Sequence, residues 1–341
     1  MLYMVELNED NILISKRIFG KHANIFCGSF LTEDNKSINP AIAKKFGVDK
    51  YDVVMGNPPF QDSSKSKGSG HKLWVIFTEK ILENNGFLKK QGYLLFIHPS
   101  LWRQPHTSAN TSIERLKILM KNKQIHYLEI HNEKDGIKVF KSNTRYDWYI
   151  IENKEKYKET IIFDEKKIIN KINLDLLPFI PNFMFNKIKK YIKGSDKIKI
   201  IYSSSAYEHR KDFINGEKTE EFKYKVVASV NKANQPQLLY SKRNDRGHYN
   251  IKKVIFGSGS TGFFIDKKGE YLLSDFARGI EESEENLVPL KNFLESIHFK
   301  NINDALSIST REINFRALYY FKKDFWKEFV DDDGNPRKSN S

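Results

Sequence analysis

Asn57, Pro58, Pro59 and Phe60 follow directly after Gly56 and the apolar run YDVVM. A short apolar run bounded by Gly and Pro reads as a buried strand, and the prolines end its hydrogen-bond ladder at once because neither carries an N–H. The strand's carboxyl edge is therefore a rigid loop bearing an amide side chain. This arrangement suits the alkylation of an amine attached to an aromatic ring, such as the exocyclic amine of adenine. The lone pair of such a nitrogen is delocalised into the ring and attacks poorly. Two acceptors aimed at its hydrogens favour a pyramidal, more nucleophilic nitrogen, and the Asn57 side-chain oxygen with the Pro58 carbonyl can supply them. Phe60 can stack on a base swung out of a duplex, so that the amine faces an activated methyl donor at attack distance. Neither a metal nor a strong general base is required. With proline at about 5% of residues, such a string arises by chance in fewer than about one in a hundred chains of this length, so the signal is specific. The competing reading is a Pro-terminated strand end with a core phenylalanine.

Alternating strands and helices surround this loop. LYMVE, residues 2–6, is a short strand, and NEDNILISKRIF then begins a helical pattern at Asn8 that closes on Gly20. NIFCGSFL, 24–31, is a second strand with its exit. Beyond the Asn57 loop, QDSSKSKGSGHK is a Gly, Ser and Lys connection, LWVIFTEKILENN an amphipathic helix and QGYLLFIHP another buried strand. IHYLEIH and YDWYIIEN are two further strands on either side of a Gly and Lys turn. This alternation predicts a doubly wound α/β sheet with its site at the strands' carboxyl ends. From residue 166 the pattern changes. KINLDLLPFIPN is a Pro-punctuated connector, and the remainder mixes short strands such as YKVVASV and KKVIFGS with helices near 287–298 and 314–329. The expected organisation is an α/β domain over 1–165, a smaller α+β domain over 166–330 and a flexible tail over 331–341.

The chain's 341 residues are enough for about two domains, each with its own core. Cys27 is the only cysteine, which excludes an intrachain disulfide and a cysteine zinc cluster. No stretch approaches the roughly 18 to 20 apolar residues of a membrane span, and MLYMVELNED is too short and acidic for a signal peptide. An intracellular, cytoplasmic protein is expected. Lys+Arg 57 against Asp+Glu 43 leaves +14, which makes a polyanion the first partner to consider. The segment 207–253, with EHRKD and YSKRNDRGHYN, is rich in side chains suited to phosphate and base-edge contact. A solvated lysine surface, or the composition of an AT-rich genome, would look the same.

With these residues in place, the chain resembles the S-adenosylmethionine-dependent DNA adenine-N6 methyltransferases of restriction-modification systems, in the branch whose target-recognition domain is C-terminal. YMVELNEDNILISKRIF resembles the family's second motif, which implies that Glu6, with Leu7 beside it, binds the cofactor ribose. NIFCGSFL resembles the third motif, in which an acid meets the cofactor adenine amine and an aromatic packs on its ring. Ser29 stands at the acid's position and Phe30 at the aromatic's, and a hydroxyl is a weaker partner for that amine than a carboxylate. LWVIFTEKIL and GYLLFIHPSLWR resemble the next two blocks. The resemblance covers residues 1 to about 155 and implies S-adenosyl-L-methionine as methyl donor, no metal, and double-stranded DNA as substrate. It also implies a further aromatic that flanks the flipped base from a late strand, with Tyr146, Trp148 and Tyr149 as candidates.

The family's first motif, a strand and Gly-rich loop around the cofactor's methionine end, has no counterpart before Glu6. A truncated gene, a split enzyme completed by an N-terminal complementing chain, and a relative that keeps only DNA binding all remain open. The fold class expected is therefore an incomplete Rossmann-like methyltransferase sheet followed by the α+β recognition domain. Gly257, Gly259 and Gly262 match a dinucleotide fingerprint, and circular permutation would make them the missing loop. That fingerprint must open a helix, whereas FFIDKKGEYLL reads as two short strands, so a glycine-rich turn is expected. His71, His98, His106 and His131 lack metal-ligand spacing and read as ordinary polar residues. Ser203 to Ser205 lack a nucleophile-elbow context, EESEEN is a solvated acidic run, and Arg311 and Arg316 can reach phosphate or form surface ion pairs. No nuclease motif is convincing, so any restriction endonuclease is a companion. The rival function is a non-catalytic DNA-binding or specificity fragment, and methylation of an RNA or protein-glutamine amine is a third reading.

Overall fold

Strand β1 (Tyr3–Glu6) ends where Glu6 Oε1 accepts the Asn8 N–H at 2.8 Å, and Asn8 then caps helix α1 (Glu9–Phe19) by accepting the Asp10 N–H at 2.8 Å. Acids in the first turn and Lys16 and Arg17 in the last match the helix dipole, and Gly20 at φ 94° ends the run. Strand β2 (Asn24–Cys27) pairs parallel with β1, Glu6 opposite Cys27. Asn39 and Pro40 start helix α2 (Pro40–Phe46), which ends on left-handed Gly47. The protein is described here from a computed structural model that covers residues 1–61, 72–83, 86–105, 111–257, 259, 262–308 and 312–338. The predicted loop QDSSKSKGSGHK lies almost wholly outside the described residues, as do His71, His106 and Arg311.

Two units divide the chain, Met1–Leu177 and Pro178–Ser341. In the first, a six-stranded sheet is built from β3 (Tyr51–Gly56), β4 (Leu88–Pro99), β5 (Lys123–His131), β6 (Tyr146–Glu155), β7 (Thr160–Phe163) and β8 (Ile169–Ile172). Helices α3 (Leu73–Leu82), α4 (Ser112–Lys121) and α5 (Glu133–Phe140) connect its strands. The strand order is β3-β4-β6-β5-β7-β8, with β3 parallel to β4 and β6 antiparallel to both its neighbours. Leu94, Phe96, Leu128, Ile130, Tyr149 and Ile151 form its buried centre. The unit is mixed α/β.

Two expectations for this unit change. The Gly and Lys turn between the fifth and sixth strands is helix α5, because the Asn132 side chain accepts the Lys134 and Asp135 N–H groups and nucleates it. Gly136 sits inside that helix where an added Cβ would lie 1.9 Å from the Thr144 carbonyl oxygen, so the glycine serves close packing and does not break the helix. The unit boundary falls after Leu177, not at 166, because β7 and β8 form an antiparallel pair that extends the sheet from β5.

The second unit begins with helix α6 (Phe185–Ile192) and continues through β9 (Ile200–Ile201), β10 (Ile214–Asn215), β11 (Tyr224–Val230), β12 (Pro236–Ser241), β13 (Lys253–Gly257), β14 (Phe263–Asp266), β15 (Leu272–Leu273) and β16 (Ala277–Glu281). Two four-stranded sheets result, β10-β12-β11-β15 and β14-β13-β16-β9. Helices α7 (Leu287–Glu295) and α8 (Ile297–Leu306) contribute to the main apolar core, in which Phe256, Ile280, Phe293, Phe299, Phe321 and Trp326 are buried. The helix expected over 314–329 is reduced to one turn, α9 (Phe315–Leu318), and a 3-10 segment at Phe325–Phe329. Residues 331–338 are not a free tail. Asp331 Oδ1 accepts the Asp333 and Asn335 N–H groups, Gly334 turns the chain at φ 77°, and the Arg337 N–H returns to the Phe329 carbonyl at 2.8 Å. β13 and β14 pair antiparallel across the Gly257–Gly262 segment, and a strand follows the glycines there. Among the described residues no helix is long and apolar enough to cross a membrane.

Candidate active site

The register of the large sheet gathers four chain positions on one rim. Gly56 ends β3 opposite Phe96, Pro99 ends β4 opposite Tyr146 at the start of β6, and His131 ends β5 opposite the same tyrosine. Asn57 leaves β3 at this rim and is exposed, Pro58 is buried, Pro59 is exposed and Phe60 is half-buried. Among the described residues the Asn57 side chain has no hydrogen-bond partner. The buried Pro58 anchors the loop while the amide beside it stays open to a ligand. The loop is not packed shut against the interior.

An aromatic series runs from Phe60 along the rim. Its ring meets Phe140, the last residue of α5, edge-on at 5.6 Å between centroids, and Phe140 meets Tyr146 edge-on at 4.9 Å. Tyr146 lies flat against His131, 4.4 Å away with 3° between planes, and His131 Nδ1 donates to Asp135 Oδ2 at 3.2 Å. This separates the three late-strand aromatics. Tyr149 is fully buried, with its hydroxyl 2.9 Å from His98 Nε2, and Trp148 packs on Tyr127. Tyr146 reaches the rim, but the ring beside Phe60 is Phe140, which sequence reasoning missed by reading α5 as a turn. The cue was there in an Asn cap eight residues before the phenylalanine.

Beneath the rim, polar groups are locked in the interior. His98 is fully buried, stacks on Trp74 at 4.5 Å, donates from Nδ1 to the Pro99 carbonyl at 3.0 Å and accepts the Tyr149 hydroxyl hydrogen at Nε2. Burial lowers its pKa to about 4, so the ring is neutral. Asp147 Oδ2 accepts from Trp102 Nε1 at 2.9 Å and from Arg103 Nε at 2.8 Å, with the ion pair wholly buried. Burial pushes the Asp147 carboxyl up and the Arg103 guanidinium opposes it. These groups brace the end of β4 against the start of β6.

The positions assigned to a cofactor are brought together only in part. Glu6 and Ser29 stand at the adjacent carboxyl ends of β1 and β2, where the Gly28 N–H donates to the Glu6 carbonyl at 3.0 Å. Glu6 Oε1 is engaged by Asn8, which leaves Oε2 for a sugar hydroxyl, and Ser29 is exposed. Leu7 is also exposed, and its side chain can only cover a ligand. Phe30 is packed among other aromatics. Its ring stacks on Phe77 of α3 at 4.8 Å and meets Phe87 edge-on at 5.4 Å, while Phe87 also touches Tyr51, the first residue of β3. Phe30 therefore packs toward the amino ends of β3 and β4, away from Asn57. Polar atoms suited to a nucleoside are present at Glu6 and Ser29, and the Phe30 ring is held by Phe77 and Phe87.

A proline-locked asparagine at the rim of a mixed α/β sheet, with an aromatic pair beside it, is the candidate site. Residues 2–140 match the family model described as Eco57I restriction-modification methylase. The match spans β1 through α5 and includes Glu6, Leu7, Ser29, Phe30, the Asn57–Phe60 loop and Phe140. An uncharacterized adenine-specific methylase of Mycoplasma pneumoniae is 35% identical over 85 residues, which cover 25% of this chain and 19% of that protein. The match thus spans about a fifth of that relative's length. Similar solved structures include the Type IIL restriction-modification enzyme MmeI in complex with DNA, with a TM-score of 0.46, 12% identity, and coverage of 93% of this chain and 54% of that one. A nuclease-deletion mutant of the Type ISP enzyme LlaGI with a DNA substrate mimic gives a TM-score of 0.45 and 12% identity, over 92% of this chain and 45% of that one. Residues 2–140 thus resemble the Eco57I restriction-modification methylase family.

Proposed function

We propose that this chain provides the catalytic rim and the DNA-contacting unit of a site-specific DNA adenine-N6 methyltransferase of the restriction-modification type, on a Rossmann-like sheet. The observation that carries this is the exposed, unpartnered Asn57 amide held by the buried Pro58 beside the Phe60–Phe140 pair. An adenine flipped from the duplex stacks against this aromatic edge. Asn57 Oδ1 accepts one hydrogen of its exocyclic amine and the Pro58 carbonyl accepts the other, which returns the lone pair to the nitrogen. S-adenosyl-L-methionine supplies the methyl group when bound, and one amine proton leaves to solvent as the carbon–nitrogen bond forms. Glu6 Oε2 and the Ser29 hydroxyl hold the donor's nucleoside.

A second polypeptide segment is part of this reading. β3 is the outer strand of its sheet, yet Met55 on it is 68% exposed and Val53 48%, and on α1 only Ile12 is buried while Ile14, Ile18 and Phe19 are exposed. An edge strand with apolar side chains in water is a pairing template. A complementing strand seated on the β3 edge would cover it and close the donor pocket. A companion endonuclease is the partner such methylation implies.

The packing of the Phe30 ring against Phe77 and Phe87 favours the second reading, a DNA-binding specificity fragment without catalysis. Incubation of the chain with methyl-labelled donor and mixed-sequence duplex DNA separates the two. N6-methyladenine among the digested nucleosides supports the enzyme, whereas duplex binding without any labelled nucleoside supports the fragment. Label in RNA or protein in place of DNA would overturn both.

A further inference from the structure

We infer that the second unit carries a phosphodiester-binding cleft lined by Ser203, Ser205, Lys211 and Arg246, an assignment that rests on the duplex-DNA reading above. The cavity has a volume of about 390 Å³ and is walled by these four side chains with Ala206 and Phe213. No carboxylate is among its walls. The cations around it differ in how their charge is used. Arg210 is paired with Glu208 at 2.6 Å, and Arg243 donates from Nε to Asp245 at 2.7 Å, so each is neutralised by an acid two residues away. Among the described residues no carboxylate lies within ion-pair distance of Lys211 or Arg246, the two that face the cavity. Two cations with no ion-pair partner, of which Arg246 feels Asp245 only at longer range, stand beside two hydroxyls and form an anion site.

The backbone under these side chains is fixed. Tyr207, fully buried, accepts the Arg246 N–H on its hydroxyl at 2.9 Å. The Lys211 N–H donates to the Glu208 carbonyl and the Ile214 N–H to the Lys211 carbonyl, each at 3.0 Å. Ser203 Oγ accepts the Ala206 N–H at 3.1 Å, which leaves its own hydrogen to donate outward. The site discriminates against a free nucleotide by what it lacks. Phe213 is 7% exposed and covered by the Arg243 guanidinium at 5.1 Å, so no aromatic face is open to a base, and no amide or carboxylate side chain in the wall reads a base edge. The occupant recognised is the phosphate of a polymer backbone with its adjoining sugar.

The test uses the full chain and a mixed-sequence duplex, with the dissociation constant followed over a range of KCl concentrations. K211Q/R246Q, both at exposed positions, should lower the slope of log affinity against log salt by about 1 to 2 and weaken binding roughly tenfold or more near physiological salt, whatever the sequence. K189Q/K300Q, which removes the same charge from α6 and α8, should leave the slope nearly unchanged. A wild-type slope in the cleft variant overturns the cleft while leaving DNA binding intact. No duplex binding by the wild type overturns the DNA reading itself. Inorganic phosphate and deoxyadenosine monophosphate form the last arm. Variant-sensitive binding of either one, with an unchanged duplex slope, would assign the cleft to a free ligand and overturn the proposal.

Discussion

Lys253 and Asp266 in the second unit and Asn57 in the first are polar groups treated in opposite ways. The Lys253 ammonium is wholly buried and donates to Asp266 Oδ2 at 2.6 Å, the Ile251 carbonyl at 2.9 Å and the His248 carbonyl at 3.2 Å. Asp266 in turn accepts the Glu270 and Tyr271 N–H groups at 3.0 Å each. Every donor on the lysine is used, as a charge removed from water requires. The Asn57 amide, on a loop equally well anchored, has no partner among the described residues and faces solvent. The second unit thus satisfies the buried Lys253 charge completely, while the Asn57 amide at the sheet rim of the first is left to solvent. That difference is what the proposed role of the rim rests on, together with the Asn57–Phe60 motif.

The sharpest way to break this contrast is Lys253→Met, which keeps most of the side-chain volume and strands the Asp266 carboxylate. Denaturant unfolding should show the second unit destabilised by about 3 to 5 kcal/mol. A loss under about 1 kcal/mol would mean that the pair is hydrated and open to solvent.

The buried histidines give the next effect. His98 in the first unit and His248 in the second are both lowered by burial to about 4 from an ordinary 6.5. The folded state resists their protonation and the unfolded state does not. Stability is therefore full above about pH 6.5 and falls as pH drops toward 4, by roughly 1.4 kcal/mol per pH unit for each histidine. His98→Gln should flatten this acid slope for the first unit and leave the second unit's slope in place. Identical slopes with and without His98 would show that its ring is protonated in the fold.

Smaller again is the contribution of the ring that flanks Phe60. Phe140→Ala should cost about 1 to 3 kcal/mol of base stacking, read as a fall of about tenfold or more in methylation rate. Trp148→Ala, on the Tyr127 side of β6, should leave the rate of the folded protein within about twofold. The reverse ranking would move the base-flanking role back to the strand.

Much of this was legible in the sequence, for reasons that differ along the chain. The Asn57 loop could be placed because two prolines cannot continue a strand ladder, and α1 and α2 because Asn8 and Asn39 cap them. Helix α5 was hidden by Gly136, whose role depends on a carbonyl from Thr144 that no local pattern displays. The β7–β8 extension moved the unit boundary because a short antiparallel pair is visible only through its partner, β5. The same holds for residues 331–338, where Asp331 and Gly334 make a turn that looks like a disordered acidic end. The orientation of Phe30 depends on Phe77 and Phe87, so the third-motif resemblance located the residue without locating its ring.

In the proposed reaction the Asn57 oxygen accepts a hydrogen bond from the exocyclic nitrogen of an extruded adenine. Single-turnover methylation of duplex DNA by the wild type, Asn57→Asp and Asn57→Ala, with duplex affinity measured in parallel, tests it most directly. Asn57→Ala should slow transfer by about 10² to 10³ with affinity nearly unchanged, and Asn57→Asp, which keeps an acceptor oxygen, should recover part of the rate. Equal rates for the wild type and Asn57→Ala would contradict the account.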